Sequence, residues 1–306
     1  MFRARLVDCL LRLTARLPLP LLYAAGGALG RLADRIPNDA RHITRVNVEL
    51  CFPELDEAGK RRLARRALAA SARNLLELGA LWHRPLPRTR ALVREVDGAG
   101  VFDDALAEGR GVLIIAPHLG AWELLQAWVA ARASLHALYR PPRQQWLEGV
   151  ITRARSRTGA RMWPARPSGI RALFKALRAG EAVGILPDQQ PPGEGVFAPF
   201  FGQPAKTMTL FGKLAARGNA PVLVGWAERL PGGRGYRVHW RRVQKPVADP
   251  DPQRAAEALN DAIEAAVREC PEQYLWTYRR FSRQPQGVRN PYKCFASRGG
   301  WLVRRD

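Results

Sequence analysis

A chain of 306 residues, 47% of them hydrophobic, can bury a substantial core, which excludes a disordered tail. Its 49 Lys and Arg against 27 Asp and Glu leave a formal charge of +22, an excess that suits a polyanionic partner: nucleic acid, an anionic bilayer surface, or acidic substrates and carrier proteins. The four cysteines, Cys9, Cys51, Cys270 and Cys294, stand far apart with no C-x-x-C pair, which argues against a disulfide framework or a zinc site and fits a reducing compartment.

The first patterned segment is Leu17 to Gly30 (LPLPLLYAAGGALG), which is apolar, carries Pro18 and Pro20, and is flanked by Arg12, Arg16 and Arg31. It falls short of the roughly 20 apolar residues a spanning helix needs, and no small-residue cleavage pattern follows it. The expectation is a membrane-associating helical segment within residues 1–35, lying in the interface with its arginines toward anionic headgroups. A buried first helix of a soluble domain is the alternative. Gly26, Gly27 and Gly30 suit close packing better than a phosphate cradle. Residues 57–82 carry Leu63, Ala67, Leu68, Leu75, Leu76 and Leu78 at three- and four-residue intervals, with Arg61, Arg62, Arg65, Arg66 and Arg73 between them. That spacing predicts an amphipathic helix whose basic face meets solvent or a membrane. Pro85 and Pro87 mark a connector.

From about residue 98 strands alternate with helices. Strands are predicted at 111–116, 135–139, 182–186, 221–226 and 236–243, and helices at 121–132, 144–157, 168–179, 206–217 and 252–269. The alternation predicts an α/β fold, a central mixed sheet flanked by helices, with residues 36–306 as one domain. In the last strand Tyr236, Val238 and Trp240 alternate with Arg237, His239 and Arg241, so one face is expected to be buried and the other, including His239, to be polar surface.

Residues 111–125 read GVLIIAPHLGAWELL. Val112 to Ala116 form a short apolar run, Pro117 ends it, and His118 stands at the strand's exit. Glu123 opens an apolar helical pattern through Leu124, Leu125, Trp128 and Val129. Residues five apart on one helix point about 140° away from each other, so the pair can cooperate only if His118 lies in the turn before the helix, which Gly120 eases. A base whose ring is held by a carboxylate is then possible; a helix-capping His near an unrelated surface Glu is the plainer reading. Ligands of such sheets gather beyond the carboxyl ends of strands. Arg140 follows the next strand and Asp188 a third, so His, Arg and Asp at three strand exits make a plausible single site. No G-x-S-x-G elbow, P-loop or strand-linked G-x-G-x-x-G occurs, and no Ser or Cys adjoins His118 to suggest a covalent intermediate. What remains is His118 as base for an incoming hydroxyl, Glu123 fixing its tautomer, and one or more Arg stabilising charge.

The string around His118 resembles the H-x4-(D/E) motif of the glycerolipid and lipid A acyltransferases. Further segments narrow the resemblance to the late lipid A acyltransferases of the lauroyl/myristoyl type: NVELCFPELDEAGKRRLA (47–64), LYRP (138–141), ITRARSRTG (151–159), GILPDQ (184–189), FFGQPAKTMT (200–209) and PEQYLWTYRRF (271–281). It runs from about Leu17 to Arg289. PDQQPPG stands where glycerol-phosphate and lysophosphatidate relatives usually carry a Phe-Pro-Glu-Gly-Thr-type block, which speaks against those relatives. The resemblance implies transfer of an acyl chain from acyl carrier protein, or coenzyme A, onto a hydroxyl of a lipid A precursor at the cytoplasmic face of the bacterial inner membrane. No cofactor or metal is implied; the acyl thioester is a co-substrate. His118 would take the hydroxyl proton and Glu123 would support the imidazolium. Arg140, Arg153 or Arg155 would hold a phosphate or the developing oxyanion, and Asp188 would position a substrate or an Arg, or serve as a plain turn residue. Trp276, Tyr278 and Phe281 read as core, with Arg279 and Arg280 as candidate contacts to an acidic substrate. The charge is then accounted for by phosphorylated acceptors, an anionic leaflet and an acidic carrier protein. An enzyme of the same superfamily acting on a phosphatidylinositol mannoside, an ornithine lipid or another glycolipid is the alternative. A nucleic-acid-binding protein is not favoured, because Arg is spread along the chain and no nucleic-acid motif occurs.

Overall fold

Pro18 splits the N-terminal segment into two helices, α1 (Phe2–Arg16) and α2 (Leu19–Arg35), in the computed structural model, which describes residues 2–142, 144–298 and 301–304. Proline has no N–H to donate and disfavours helical backbone at the residue before it, so Leu17 is the natural breakpoint. Next come α3 (Asp39–Cys51), capped by the Asn38 side chain accepting from the Arg41 N–H, and α4 (Glu57–His83). The chain continues through α5 (Leu86–Arg90), β1 (Val93–Asp97), α6 (Ala99–Ala107), β2 (Val112–Ile115), α7 (Trp122–Val129), β3 (Leu135–Tyr139), α8 (Gln145–Ser156), β4 (Arg161–Pro164), α9 (Pro167–Arg178) and β5 (Ala182–Ile185). It ends with β6 (Val196–Phe200), β7 (Gln203–Thr207), α10 (Leu210–Gly218), β8 (Val222–Arg229), β9 (Tyr236–Arg242), α11 (Pro252–Glu269), α12 (Pro291–Cys294), β10 (Phe295–Arg298) and β11 (Trp301–Arg304).

These elements divide into two compact units, each assembled from three stretches of sequence. The first comprises residues 1–24, 74–186 and 214–244. It holds a seven-stranded sheet in the order β1-β9-β8-β2-β5-β3-β4, parallel throughout except for the antiparallel β8–β9 pair, so the expected mixed α/β sheet is present. β2 reads VLII and all four residues are buried. Val112 and Ile114 join a core with Leu124, Leu125 and Trp128, while Leu113 and Ile115, on the opposite face of the pleat, are equally buried. Helices therefore cover both faces, as a parallel sheet requires. Phe102, Trp128 and Trp240 close one layer with ring centroids 4.7–5.4 Å apart.

The second unit comprises residues 25–73, 187–213 and 245–306. Here the β6–β7 hairpin packs on α11, and Phe52, Phe201, Tyr274 and Trp276 form an aromatic cluster. Phe201 (φ 50°) and Gly202 (φ 71°) turn the chain back, so residues 206 and 207, expected to open a helix, finish a strand and α10 begins only at Leu210. Pro199 and Pro204 face each other in this two-stranded ribbon, where each strand is an edge and a missing N–H is tolerated. Gly26 and Gly30 of α2 lie so close to Arg73 and Ala69 of α4 that a Cβ at either would overlap them, which is the close packing expected of these glycines.

Three other expectations are corrected. His239 is buried, not surface: it bridges Asp97 (3.1 Å) and Glu228 (2.9 Å) and stacks on Trp226 at 4.6 Å. The basic face of β9 is thus neutralised by acids on its two neighbouring strands. In α4 the expected amphipathic helix buries Leu63, Ala67 and Leu68, but Leu75 is 69% exposed, and Asn74 and Glu77 are buried on the inward face with Ala70 and Leu81. Arg280 is buried, donating to the Lys206 carbonyl (2.6 Å) and Thr207 Oγ1 (3.0 Å), and therefore braces the hairpin; Arg279 is exposed and pairs with Asp39.

Candidate active site

The site of the first unit grows from the end of β2. Ala116 still donates to Ile185 of β5 (2.9 Å), but Pro117 has no N–H to extend the ladder, and the chain leaves the sheet with His118 in the turn before α7. Gly120 (φ 61°) completes that turn and forms an isolated parallel bridge with Ala227 of β8. A Cβ at Gly120 would fall inside the Ala227 carbonyl, so both its dihedral and its surroundings require glycine. Ala121 N–H donates to the Ala227 carbonyl at 2.7 Å, and Arg229 Nη2 donates to the Gly120 carbonyl at 3.0 Å. The turn carrying His118 is thus fastened to β8 by two bonds.

Arg229 is itself held in a buried network. Its guanidinium bonds Glu77 of α4 at 2.9 and 2.5 Å and donates to Asn74 Oδ1, while the Tyr236 hydroxyl donates to Glu77 at 2.9 Å. Burial, and then the negative charge of Glu77, push the Tyr236 phenol well above its ordinary range, so Tyr236 stays a donor.

One turn beyond His118, the Glu123 side chain is buried with 6% of its surface exposed. It receives Trp82 Nε1 at 3.0 Å and Arg155 through Nε at 3.2 Å and Nη2 at 2.5 Å. Burial alone pushes this carboxyl up, but the Arg155 charge, the bonds from Arg155 and Trp82, and the charge of His118 together hold it below the usual carboxylate range. Glu123 is consequently an anion in an apolar setting. Burial works against the Arg155 cation, yet Glu123 holds its titration above the ordinary value. Gln126 donates to the Arg155 carbonyl (3.0 Å) and to Thr158 Oγ1 (3.1 Å), fixing the end of α8 against α7. The half-buried His118 ring meets Trp122 edge-on, centroids 5.1 Å apart.

Glu123 and Arg155 also border a narrow pocket, partly open to solvent, whose walls are largely apolar: Trp122, Leu125, Leu138, Met162 and Leu186 among them. Gly184 lines it without a side chain. Of the predicted site residues, Glu123 and Arg155 meet at this pocket, and His118 stands in the turn before α7, near enough for its charge to act on Glu123. Arg140, after β3, and Arg153, on α8, are exposed, and the Arg153 charge reaches Asp8 of α1. Asp188 belongs to the second unit, where it is buried and accepts from the Tyr274 hydroxyl with Arg280 nearby. Trp82, Arg229 and Glu77 were not identified from sequence. Trp82 lies 41 residues from its partner, and the one signal for Glu77 and Asn74 is that they fall on the inward face of a helix otherwise lined by Ala and Leu. Among the described residues, no group of three or more His, Cys, Asp or Glu is placed to hold a metal ion.

An imidazole at a strand exit, a buried carboxylate one turn on and an apolar pocket lie together in the first unit, and the comparisons make the chain an acyltransferase. It belongs to the bacterial lipid A biosynthesis acyltransferase family, whose model matches residues 2–283. The lipid A biosynthesis lauroyltransferase of Escherichia coli (strain K12) is 30% identical over 282 residues, covering 92% of this chain and 91% of that protein. The lipid A biosynthesis palmitoleoyltransferase of the same strain matches at the same identity and coverage, and its lipid A biosynthesis myristoyltransferase at 24% over 273 residues, 87% of this chain and 82% of that protein.

Proposed function

We propose that the enzyme moves a fatty acyl chain from acyl carrier protein, or coenzyme A, onto a hydroxyl of a lipid A precursor, with His118 as general base and Glu123 as its orienting anion. The observation that carries this reading is the buried, ionised Glu123 beside the turn that presents His118. As the hydroxyl oxygen attacks the thioester carbonyl, its proton passes to a ring nitrogen of His118; the imidazolium so formed is stabilised by Glu123. The tetrahedral intermediate then collapses, the carbon–sulfur bond breaks, and the departing thiolate recovers the proton from His118. No resident cofactor or metal enters these steps. Arg155 acts on Glu123, to which it is bonded, and Arg140 and Arg153 remain available for anionic substrate. The apolar pocket beside Glu123 receives the acyl chain.

The reaction is assigned to the cytoplasmic face of the inner membrane. Among the described residues no helix is long and apolar enough to cross a bilayer. What supports interfacial attachment is α1, where Leu6, Leu10 and Leu13 are 50–56% exposed and alternate with Arg3, Arg5, Arg12 and Arg16.

The test is mass spectrometry of lipid A from cells lacking the gene and from the same cells complemented with wild type, His118→Ala or Glu123→Ala. One acyl chain is expected to disappear, to return with wild type, and to stay absent with either variant although both accumulate as folded protein. A full complement of chains in the deletion strain, with no second enzyme of this family encoded, sinks the lipid A assignment in favour of another glycolipid or aminolipid acceptor.

A further inference from the structure

A second cleft of the first unit lies where α1 and α4 end. It is open to solvent and is walled by Arg12, Arg16, His83, Arg84 and Arg88. Its shape is fixed by hydrogen bonds: the Arg84 guanidinium donates to the carbonyls of Ala15 (2.8 Å) and Leu17 (2.5 Å), and Arg157 donates to those of Trp82 and Arg84. These bonds occupy carbonyls that helix ends otherwise leave exposed and negative. The carboxylate nearest His83, Asp8, is engaged by Arg12 at 2.7 Å. Arg16 and Arg88, both exposed, make no ion pair or hydrogen bond among the described residues, and His83 Nε2 has no hydrogen-bond partner there, with Asp8 3.6 Å away.

The cleft therefore concentrates unneutralised positive charge in a concave, braced site. Two free guanidiniums suit a phosphomonoester, which carries close to two negative charges and presents three acceptor oxygens to their planar forks. Position narrows the occupant further. Trp82, which donates to Glu123, is the residue immediately before His83, so the cleft wall and the carboxylate's clamp are neighbours on one backbone with Cα atoms about 3.8 Å apart. Arg12 and Arg16 also share α1 with the outward row Leu6, Leu10 and Leu13, so an α1 lying on a bilayer sets the cleft at headgroup depth.

We propose that this cleft binds a phosphomonoester of the membrane-borne acceptor through Arg16 and Arg88, anchoring the acceptor while its hydroxyl reaches His118. The inference rests on the acceptor reading above. The experiment measures binding and acyl transfer separately, with full-length protein in detergent micelles, on a phosphorylated lipid A precursor and on the same lipid after phosphatase treatment. Wild type is expected to bind the phosphorylated lipid about tenfold or more tightly than the treated one. The double variant R16A/R88A is expected to narrow that preference to about twofold or less, and R171A/R178A, which removes the same charge from the exposed face of α9, to keep it. A preference that R16A/R88A retains, or that R171A/R178A loses equally, overturns the proposal, as does equal binding of both lipids by wild type. Full displacement of the phosphorylated lipid by millimolar inorganic phosphate also overturns it, marking a free-phosphate site. If wild type binds with the expected preference yet transfers no acyl chain to either lipid, the acyl-acceptor reading fails while the phosphate site stands.

Discussion

Glu123 is a carboxylate kept charged where little water reaches it, and the Arg155 guanidinium does most to keep it so. Its folded titration lies below the unfolded value of about 4.3. The ion pair therefore stabilises the fold at pH values above that point, and its contribution is lost as pH falls through the folded value. Removing the cation takes away the largest influence opposing burial and leaves only the Trp82 bond and the His118 charge against it. Arg155→Met is expected to move the acid limb of the kcat/KM–pH profile to higher pH and to lower activity at pH 7, and a profile unchanged from wild type would show that Arg155 does not govern Glu123. His118→Ala is expected to cut kcat by about 10²–10⁴-fold, the usual worth of a positioned base, with little change in acyl-donor KM; pre-steady-state transfer assays measure it. At this scale the sequence was informative about the strand-exit His and the acid one turn on, because both sit within one short segment. Trp82 and Arg229 were hidden, since contacts across 41 and 109 residues leave no mark on local spacing.

The turn from β2 into α7 is where elements govern chemistry. Gly120→Ala places a side chain at φ 61° against the Ala227 carbonyl, and is expected to cost about 1–3 kcal/mol and to displace His118; denaturant titration and activity should fall together. Arg229→Met strands Glu77 without its cation in the core and is expected to cost about 3–5 kcal/mol, whereas Arg229→Met combined with Glu77→Leu costs less, since the buried charge goes too. Equal costs for the single and double variants would refute the charge argument. Gly184, in the middle of β5, lines the apolar pocket, and an added Cβ there meets Leu135 at an ordinary 3.5 Å. Gly184→Leu is therefore expected to fold and to shift the acyl preference toward shorter chains, read by competition between donors of different length. Short continuous apolar runs made the central strands legible, alternation marked β9, and 3.6-residue spacing marked the long helices. β1 and β4, short and largely polar or proline-ended strands at the sheet's two edges, carry no such pattern, and the β6–β7 ribbon is masked by its prolines.

Across the whole molecule the charge of +22 has a physical use if the enzyme works on an anionic leaflet, where each Lys or Arg near the surface contributes about 1 kcal/mol. Binding to phosphatidylglycerol-containing vesicles is expected to weaken steeply with salt, and Leu6→Ser, Leu10→Ser and Leu13→Ser together are expected to weaken it by about tenfold at constant ionic strength. Vesicle co-sedimentation that responded to salt but not to the leucines would reduce the attachment to electrostatics alone.

Composition and alternation pointed to the α/β class, but not to the way the two units share the chain, because proximity between 1–24, 74–186 and 214–244 is a tertiary fact. That interleaving bears on how the protein is made. β2, wholly apolar, pairs with β5 on one side and with β8 on the other, yet β8 begins at Val222, more than a hundred residues behind it on the ribosome. Until that stretch emerges, the strand that presents His118 has an open edge, the kind that templates mispairing. The nascent chain thus carries the His118 segment half-built while more than a hundred further residues are made, and neither unit can be released by a single cut.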